Sequence, residues 1–243
     1  MEYSFNDISF EAYYHTPSMH RHFAKHIIFA PNGILKCRVN RDAFECRGVV
    51  IQSNALHTVE IDHPPMLVYL IDETCGLAKA LDEVYLHGKP YAVLENDLCQ
   101  KAIAEFQSGS GSSQDEILKI CGLSRGSETE YDPRIREVLA VIDGSETLAP
   151  GMIRDLCAAV CLSESRLSHL FREGVGTSMA SYILFSKLAK AYRYIQSGEN
   201  ITQAAMHAGF SSPSHFAAVN KRLFGISVKE LGSIGDLLRT AEK

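Results

Sequence analysis

The sequence lacks any apolar run long enough to cross a membrane and any Cys-x-x-Cys pair. Its longest apolar run is Met66 to Ile71, whereas a membrane-spanning helix needs roughly 20 apolar residues. The first residues have neither the basic stretch nor the apolar core of a signal peptide. The seven cysteines are an odd number with no paired spacing, which favours reduced thiols over a disulfide framework. These absences predict a cytoplasmic protein that does not enter a membrane.

Catalytic signatures are also missing from the sequence. It contains neither a recognisable nucleophile and base pair nor the glycine-rich phosphate loop of a nucleotide hydrolase. We therefore expect a protein that is not an enzyme.

The formal net charge of −5 by itself disfavours a nucleic-acid partner. The charge is unevenly distributed, however. Residues 1–131 carry 11 Lys and Arg against 18 Asp and Glu, whereas residues 132–243 carry 13 against 11. The acidic excess lies in the first half, so the second half remains compatible with phosphate binding.

The first part of the chain has the pattern of short strands. Apolar and polar residues alternate strictly from Leu35 to Asn40, which is typical of a half-buried strand. Further candidate strands, separated by turn residues, are His26 to Ala30, Phe44 to Gln52, Thr58 to Ile61 and Met66 to Ile71. Such spacing predicts a small β-barrel or sandwich.

Helical patterns follow the strands. We predict helices from near Gly76, from Glu95 to Phe106 and near Asp115 to Cys121, with a flexible break at Gln107 to Ser113. Residues 124–131 are polar and are predicted to be an interdomain linker. From Pro133, a favourable first helical residue, the remaining chain is predicted to be entirely helical.

The helical part contains an internal repeat. Leu156-Cys157 and Cys161-Leu162-Ser163 match Ala204-Ala205 and Gly209-Phe210-Ser211 at an offset of 48 residues. Beyond these segments the offset becomes 49. Each copy has a short helix with small residues, a tight turn, a serine-led second helix and a final glycine. This order is that of a helix-turn-helix unit.

The residue types in each copy suit that structure. Small residues at Ala158-Ala159 and Ala204-Ala205 let two helices cross closely. Gly209 supplies a left-handed turn residue in the second copy. Ser163 and Ser211 are expected to cap the following helices by accepting free backbone N–H groups.

A long helix is predicted between the two copies, from Met179 to Gln196. Ser178 is its expected N-cap and Gly198 its expected stop. A helix of this length spans about 27 Å. Successive major grooves on one face of DNA lie about 34 Å apart. The connecting helix therefore has a suitable length to hold two reading helices in adjacent grooves.

These residues resemble the AraC/XylS family of bacterial regulators, over about Pro133 to Leu231. The resemblance is strongest in Ile201-x-x-Ala204-Ala205-x-x-x-Gly209-Phe210-Ser211, Ser214-His215-Phe216 and Lys221-Arg222-x-Phe224-Gly225-x-Ser227. It implies a two-domain α+β protein with an N-terminal cupin-like β-barrel flanked by helices. It also implies a C-terminal all-α domain with two helix-turn-helix motifs joined by a long helix.

The domain boundaries expected from this comparison are 1–123 for the sensor and dimerisation domain, 124–131 for the linker and 132–243 for the DNA-binding domain. The two motifs lie at about 152–173 and 201–222. The resemblance further implies double-stranded DNA, a small-molecule effector, a second copy of the chain and RNA polymerase as partners. The predicted helices between Glu95 and Cys121 have apolar stripes with two open interpretations. The stripes form the dimer interface, as the resemblance implies, or they cover the barrel.

The second unit departs from the family pattern. Ala217-Ala218 stands where the family usually has a polar residue and then arginine, and Asn220 stands where it usually has phenylalanine. We therefore expect the first unit to read bases and the second to bind largely to the DNA backbone. The predicted DNA-binding residues are Ser163, Ser165, Arg166, Ser168, His169, Arg172, Ser178, Ser211, Ser212, Ser214, His215 and Lys221.

Four histidines of the first domain form a candidate metal site. The pattern His20-x-His22-x-x-x-His26 resembles the first cupin motif, with His26 in place of its usual glutamate, and His57 is a candidate fourth ligand. The metal would be zinc, iron, manganese or nickel. The alternative is that these histidines line a pocket for an organic ligand or lie on the surface.

Two functions follow from these patterns. The first is a sequence-specific DNA-binding transcriptional regulator that responds to a small-molecule effector through its N-terminal domain. The alternative is a metal-dependent cupin sensor or enzyme that carries a DNA-binding tail.

Overall fold

The computed structural model describes residues 7–12, 17–108, 114–124, 130–225 and 227. The chain divides into two compact units. The C-terminal unit holds the described residues from 130 to 220, and the N-terminal unit holds those up to 124 together with 221–225 and 227. Most of the predicted linker, at 125–129, and part of the predicted flexible break, at 109–113, lie outside the described residues.

The N-terminal unit is built on two antiparallel sheets. The strands are β1 (Asp7–Ala12), β2 (Lys25–Phe29), β3 (Leu35–Val39), β4 (Asp42–Cys46), β5 (Gly48–Ile51), β6 (His57–Ile61), β7 (Met66–Ile71) and β8 (Tyr91–Val93). One sheet has the order β1-β7-β2-β5-β8 and the other the order β4-β3-β6. The described strands thus form two sheets, and the expected cupin-like barrel is not confirmed.

The large sheet is buried on both of its faces in its central strands. On one face of β2 and β7, Ile27, Leu67 and Tyr69 pack with Leu77 and Ile103 from the following helices. Every residue of β2, β5 and β7 is buried, whereas β3 alternates between buried and exposed positions. A strand covered on both faces has a continuous apolar run in its sequence, as β5 and β7 do. A strand covered on one face alternates between apolar and polar residues, as β3 does.

Three helices of this unit follow the strands. They are α1 (Gly76–Leu81), which continues into a short π-helical segment (Asp82–Leu86), α2 (Asn96–Gln107) and α3 (Gln114–Ile120). Ile103 of α2 and Leu118 of α3 are buried in the same cluster as the sheet residues. The apolar stripes of α2 and α3 therefore cover the sheet, which is one of the two interpretations that the sequence left open.

Most predicted elements of this unit are present. The strand Met66–Ile71 has the predicted bounds, and the predicted helices match α1, α2 and α3 to within a few residues. The single strand predicted over Phe44 to Gln52 is instead β4 and β5, separated at Arg47. Strands β1 and β8 were not predicted.

The C-terminal unit is helical. Its helices are α4 (Pro133–Gly144), α5 (Met152–Ala159), α6 (Glu164–Val175), α7 (Met179–Gln196), α8 (Ile201–His207) and α9 (Pro213–Phe224), whose last turn belongs to the N-terminal unit. The Asp132 side chain accepts the Arg134 N–H and caps α4, with Pro133 in its first turn as predicted. No helix among the described residues is both long and apolar enough to cross a membrane.

The predicted ends of the long helix α7 are confirmed. The Ser178 hydroxyl accepts the Ser181 N–H at 3.1 Å and caps the helix. Gly198, with φ +102°, follows its last turn, and the Glu199 N–H returns to the Tyr194 carbonyl. This left-handed stop satisfies carbonyls that the helix end would leave free.

Candidate functional sites

The first helix-turn-helix unit consists of α5 and α6. The turn between them places Cys161 in the left-handed region, with φ +53°. The Ser163 hydroxyl then accepts the Arg166 N–H and caps α6, as predicted. Leu167 and Phe171 are buried on one face of α6. The opposite face of α6 is therefore open to solvent.

The second unit consists of α8 and α9. Gly209 is the left-handed residue of its turn, with φ +91°, as predicted. The cap of α9 differs from the prediction, because the His215 N–H donates to the Ser212 hydroxyl rather than to Ser211. The Ser211 hydroxyl instead bonds the His215 ring at 2.9 Å. The turn from the left-handed residue to the cap is thus one residue longer than in the first unit.

The predicted packing of small residues holds in the second unit only. Ala204 and Ala205 are fully buried. Ala158 and Ala159 of the first unit are exposed, and Leu156 is the buried residue of α5. The prediction was wrong there because Leu156-Cys157, not the two alanines, occupies the positions equivalent to Ala204-Ala205.

The predicted base-reading residues of the first unit share the exposed face of α6. Exposed side chains on this face are Ser165, Arg166, Ser168, His169 and Arg172. Arg166 lies in the first turn, next to the free backbone N–H groups of the helix start. The His169 ring lies 3.4 Å from the Glu173 carboxylate, so this histidine has a competing acidic partner.

The exposed surface of the second unit, around α9, is less polar than the exposed face of α6. Ser211, Ser214, His215 and Lys221 are exposed, and Ala218 offers no donor between them. Asn220, where a phenylalanine is usual in the AraC/XylS pattern, is fully buried, and its side-chain oxygen accepts the Tyr192 hydroxyl.

A second candidate site is the cluster of four histidines in the N-terminal unit. His20 and His57 form an isolated pair through two backbone hydrogen bonds of 2.9 Å. His22 follows two residues later, and His26 lies on β2 opposite Leu70 in the register. All four rings are buried. The structure thus brings together all four of the predicted metal ligands.

The ring nitrogens of this cluster lie close together. One ring nitrogen each from His20, His22 and His57 lies within 4.8 Å of the other two. The Nε2 atoms of His22 and His26 are 3.1 Å apart. Because imidazole nitrogens are common ligands of transition metals, the arrangement has the chemistry of a metal site.

Burial lowers the pKa of all four imidazoles. Burial and then the charge of the neighbouring His20 lower the pKa of His57 to about 3, against the bond to the Ala55 carbonyl, which raises it. For His22 and His26, burial and then the charge of neighbouring histidines hold the pKa well below the usual value. For His20, burial outweighs the bond to the Ser18 carbonyl, which raises its pKa. The four rings are therefore neutral at pH 7, as metal ligands must be.

A buried lysine that precedes His26 in β2 was not predicted. Lys25 is 1% exposed, and its ammonium donates to both Glu73 carboxylate oxygens at 2.7 Å and to Asp82 at 2.8 Å. Gln52 also donates to Asp82. Burial raises the pKa of Glu73, although the Lys25 charge acts in the opposite direction. In the sequence, Lys25 is simply a lysine next to an apolar strand. This pattern does not reveal that Glu73 and Asp82, about fifty residues later, are its partners.

Comparison with known proteins agrees with the helix-turn-helix geometry. A family model described as a helix-turn-helix domain matches residues 156–233. The arabinose operon regulatory protein of Escherichia coli strain K12 is 31% identical over 115 residues, which cover 47% of this chain and 39% of that protein. The invasion protein InvF of Salmonella typhi is 48% identical over 40 residues, covering 16% and 18%. The matched residues, 156–233, lie almost entirely within the part of the sequence that resembles the AraC/XylS family.

The chain covers less than half of the length of each of these relatives. Among solved structures, ToxT from Vibrio cholerae strain SCE256, crystallised with an unsaturated fatty acid, has a TM-score of 0.58 at 15% identity. The alignment covers 98% of this chain and 96% of that chain, so the two share a fold of N-terminal antiparallel sheets and C-terminal helices. The four histidines lie outside the residues that the helix-turn-helix model matches.

Proposed function

We propose that this protein is a sequence-specific DNA-binding transcriptional regulator. The observation that carries the proposal is the pair of consecutive helix-turn-helix units, each with a capped second helix that begins in exposed polar side chains. Exposed arginine, serine and histidine at the start of such a helix are the groups that read base edges and hold phosphates. The arabinose regulator supports the same function for the segment it shares.

The first unit is the main reader of sequence in this proposal. Arg166 is the one arginine in the first turn of α6, and Ser165 and His169 flank it on the exposed face. Arginine bonds guanine through two donors, which gives strong discrimination between bases. The second unit has Ala218 at the centre of the corresponding face, so Ser212, Ser214, His215 and Lys221 contribute contacts to the DNA backbone.

The length of α7 supports binding across two grooves. Its 18 residues span about 27 Å, somewhat less than the roughly 34 Å between successive major grooves on one face of DNA. In the chain, the reading helix α6 directly precedes α7, and the reading helix α9 follows α7 after α8. The proposed operator therefore has two elements about one helical turn apart.

The N-terminal unit is the proposed effector sensor, and the active form is proposed to be a homodimer that contacts RNA polymerase. ToxT, which has the same fold, was crystallised with an unsaturated fatty acid, which supports an organic effector for this fold. A ligand acts on such a protein only through different affinities for two states. The arabinose operon regulatory protein is a regulator, which supports a role without catalysis.

The experiment that tests the proposal is selection of bound fragments from a genomic library by the purified full-length protein. It is run at near-physiological salt, because phosphate contacts dominate at low salt. We expect a recurring motif with two elements about one turn apart. Enrichment of fragments without any common motif, together with affinity that depends only on fragment length, would contradict sequence-specific regulation.

The variant Arg166→Ala tests the assignment of the reading residue. We expect specific binding to weaken by about 1–3 kcal/mol and the preference at one base position to relax. The measurement is a competition binding assay with operator duplexes that carry each base at each position. Arg136→Ala, which removes an exposed arginine on α4, is the matched control and should bind as the wild type does. A uniform loss on all duplexes would mean that Arg166 contacts only phosphate.

A further inference from the structure

We infer that the four-histidine cluster is a binding site for a divalent transition-metal ion, with His20, His22 and His57 as ligands and His26 within reach as a fourth. The inference goes beyond DNA binding and does not depend on it, because every observation comes from the N-terminal unit. The ligands come from distant parts of the sequence, since the backbone pairing of His20 with His57 aligns residues 37 positions apart.

The distances between the nitrogens suit one shared ion. Two imidazole nitrogens on a four-coordinate zinc ion are separated by about 3.3 Å, because each lies about 2.0–2.1 Å from the metal. The His22 and His26 Nε2 atoms are already 3.1 Å apart, and the atoms offered by His20, His22 and His57 lie within 4.8 Å of one another. Small rotations of the rings bring the latter three to ligand spacing.

Two of the rings have the orientation of metal ligands. The Nδ1 of His20 donates to the Ser18 carbonyl, and the Nδ1 of His57 donates to the Ala55 carbonyl, each at 2.8 Å. Because a carbonyl oxygen only accepts, the proton of each neutral ring is on Nδ1 and the lone pair is on Nε2. Histidines that bind metal nearly always donate their other N–H to such a partner.

The other two rings share one hydrogen bond, and one nitrogen of His26 has no hydrogen-bond partner among the described residues. The Nδ1 of His22 accepts the Ala24 N–H, so its proton is on Nε2 and donates to the Nε2 of His26. The proton of His26 is then on Nδ1, which is buried and has no partner among the described residues. A buried donor without an acceptor is costly. A metal ion bound through the Nε2 atoms of His22 and His26 displaces the His22 proton that lies between them, so uptake of the ion at this pair releases a proton to solvent.

The chemistry of the donors selects the class of metal. Within the described chain the cluster consists of histidines, with no carboxylate among its members. Magnesium, calcium and manganese prefer oxygen ligands, whereas imidazole suits zinc, nickel, copper and iron. Of the four metals considered from the sequence, manganese fits least well. Zinc and its spectroscopic substitute cobalt are the appropriate probes.

The test uses the full-length protein, stripped of metal with a chelator and kept reduced. Co²⁺ is titrated while visible absorption is recorded, and Zn²⁺ binding is measured by calorimetry. We expect one equivalent of metal per chain and cobalt bands typical of nitrogen ligands, without the charge-transfer absorption of thiolates. Absence of stoichiometric binding by the wild type at micromolar concentration would overturn the inference, whatever the variants do.

Histidine variants locate the bound ion. We expect His20→Ala and His57→Ala each to weaken Co²⁺ binding by at least 10-fold, and His63→Ala, which removes an exposed histidine, to bind as the wild type does. Circular dichroism verifies that each variant is folded, and His57→Gln replaces His57→Ala if the latter is not. Equal binding by the folded His57 variant and the wild type would place the metal elsewhere and overturn the assignment.

Discussion

At the scale of single residues, the turn of the second helix-turn-helix unit depends on a glycine. Gly209 has φ +91°, and a Cβ atom there would lie 2.3 Å from the Leu148 carbonyl oxygen. Gly198, at the end of α7, has φ +102° but no neighbouring atom within 4 Å of the equivalent Cβ position. The two glycines therefore differ in steric crowding while both have left-handed backbone.

This difference predicts unequal effects of two substitutions. Gly198→Ala should lower the free energy of unfolding by about 1–2 kcal/mol, which is the cost of a left-handed backbone for a residue with a side chain. Gly209→Ala should lower it by more, because the Leu148 backbone must also move. The measurement is chemical denaturation of the full-length variants followed by circular dichroism. Equal losses would show that Leu148 moves away without cost.

Residue types at caps and turns were predictable from the sequence, but individual positions were less so. Ser163 and Ser178 cap their helices as predicted. Ser211 does not, because Ser211 and Ser212 satisfy the capping pattern equally and only the path of the turn decides between them. The left-handed Cys161 was not predicted, since few residues other than glycine adopt that conformation and cysteine gives no sign of it.

At the scale of helices and strands, local patterns located most elements, whereas distant pairing was not predictable. Amphipathic periodicity and caps placed α4 and α7 correctly. Strand β1 was missed, and it pairs with β7, about sixty residues later in the chain. Strand spacing predicted a small β-barrel or sandwich, and the family resemblance implied a cupin-like barrel. Spacing does not determine which strands pair, and the described strands form two sheets.

The contact between α7 and α9 contains a polar pair inside an apolar core. The Tyr192 hydroxyl donates to the fully buried Asn220 side chain, and the Tyr192 ring packs against Phe216. A buried amide must be hydrogen-bonded, and loss of one partner costs more than the net value of the bond. This pair is expected to fix the position of the second reading helix against α7.

The substitution Tyr192→Phe should lower the free energy of unfolding by about 1–2 kcal/mol, because it removes a bond to a buried group. Tyr194→Phe is the matched control, since the Tyr194 hydroxyl donates to the Glu146 backbone carbonyl at an exposed site, and loss of this bond should cost less. A double-mutant cycle with Asn220→Ala should give a coupling energy of about 0.5–3 kcal/mol. Coupling near zero would mean that the two side chains contribute independently.

At the scale of the whole molecule, the chain has two compact units with different chemistry. The C-terminal unit carries the exposed donors of α6 and of the first turn of α9, and the N-terminal unit carries the histidine cluster and the large apolar cluster around Tyr69. The two proposed ligands therefore bind to different units. A ligand raises the free energy of unfolding of the structure that it binds. The increase is about 2.7 kcal/mol when the free ligand concentration is 100 times the dissociation constant.

This division predicts two thermal transitions in calorimetry of the metal-free protein. Zinc should raise the midpoint of one transition, and an operator duplex should raise the midpoint of the other, because each ligand binds the native form of a different unit. The His57→Ala variant should respond less to zinc and as the wild type to DNA, whereas Arg166→Ala should respond less to DNA and as the wild type to zinc. If zinc and DNA both raised the midpoint of one shared transition, the two units would unfold together, and effector and operator binding would be linked through the stability of the whole chain.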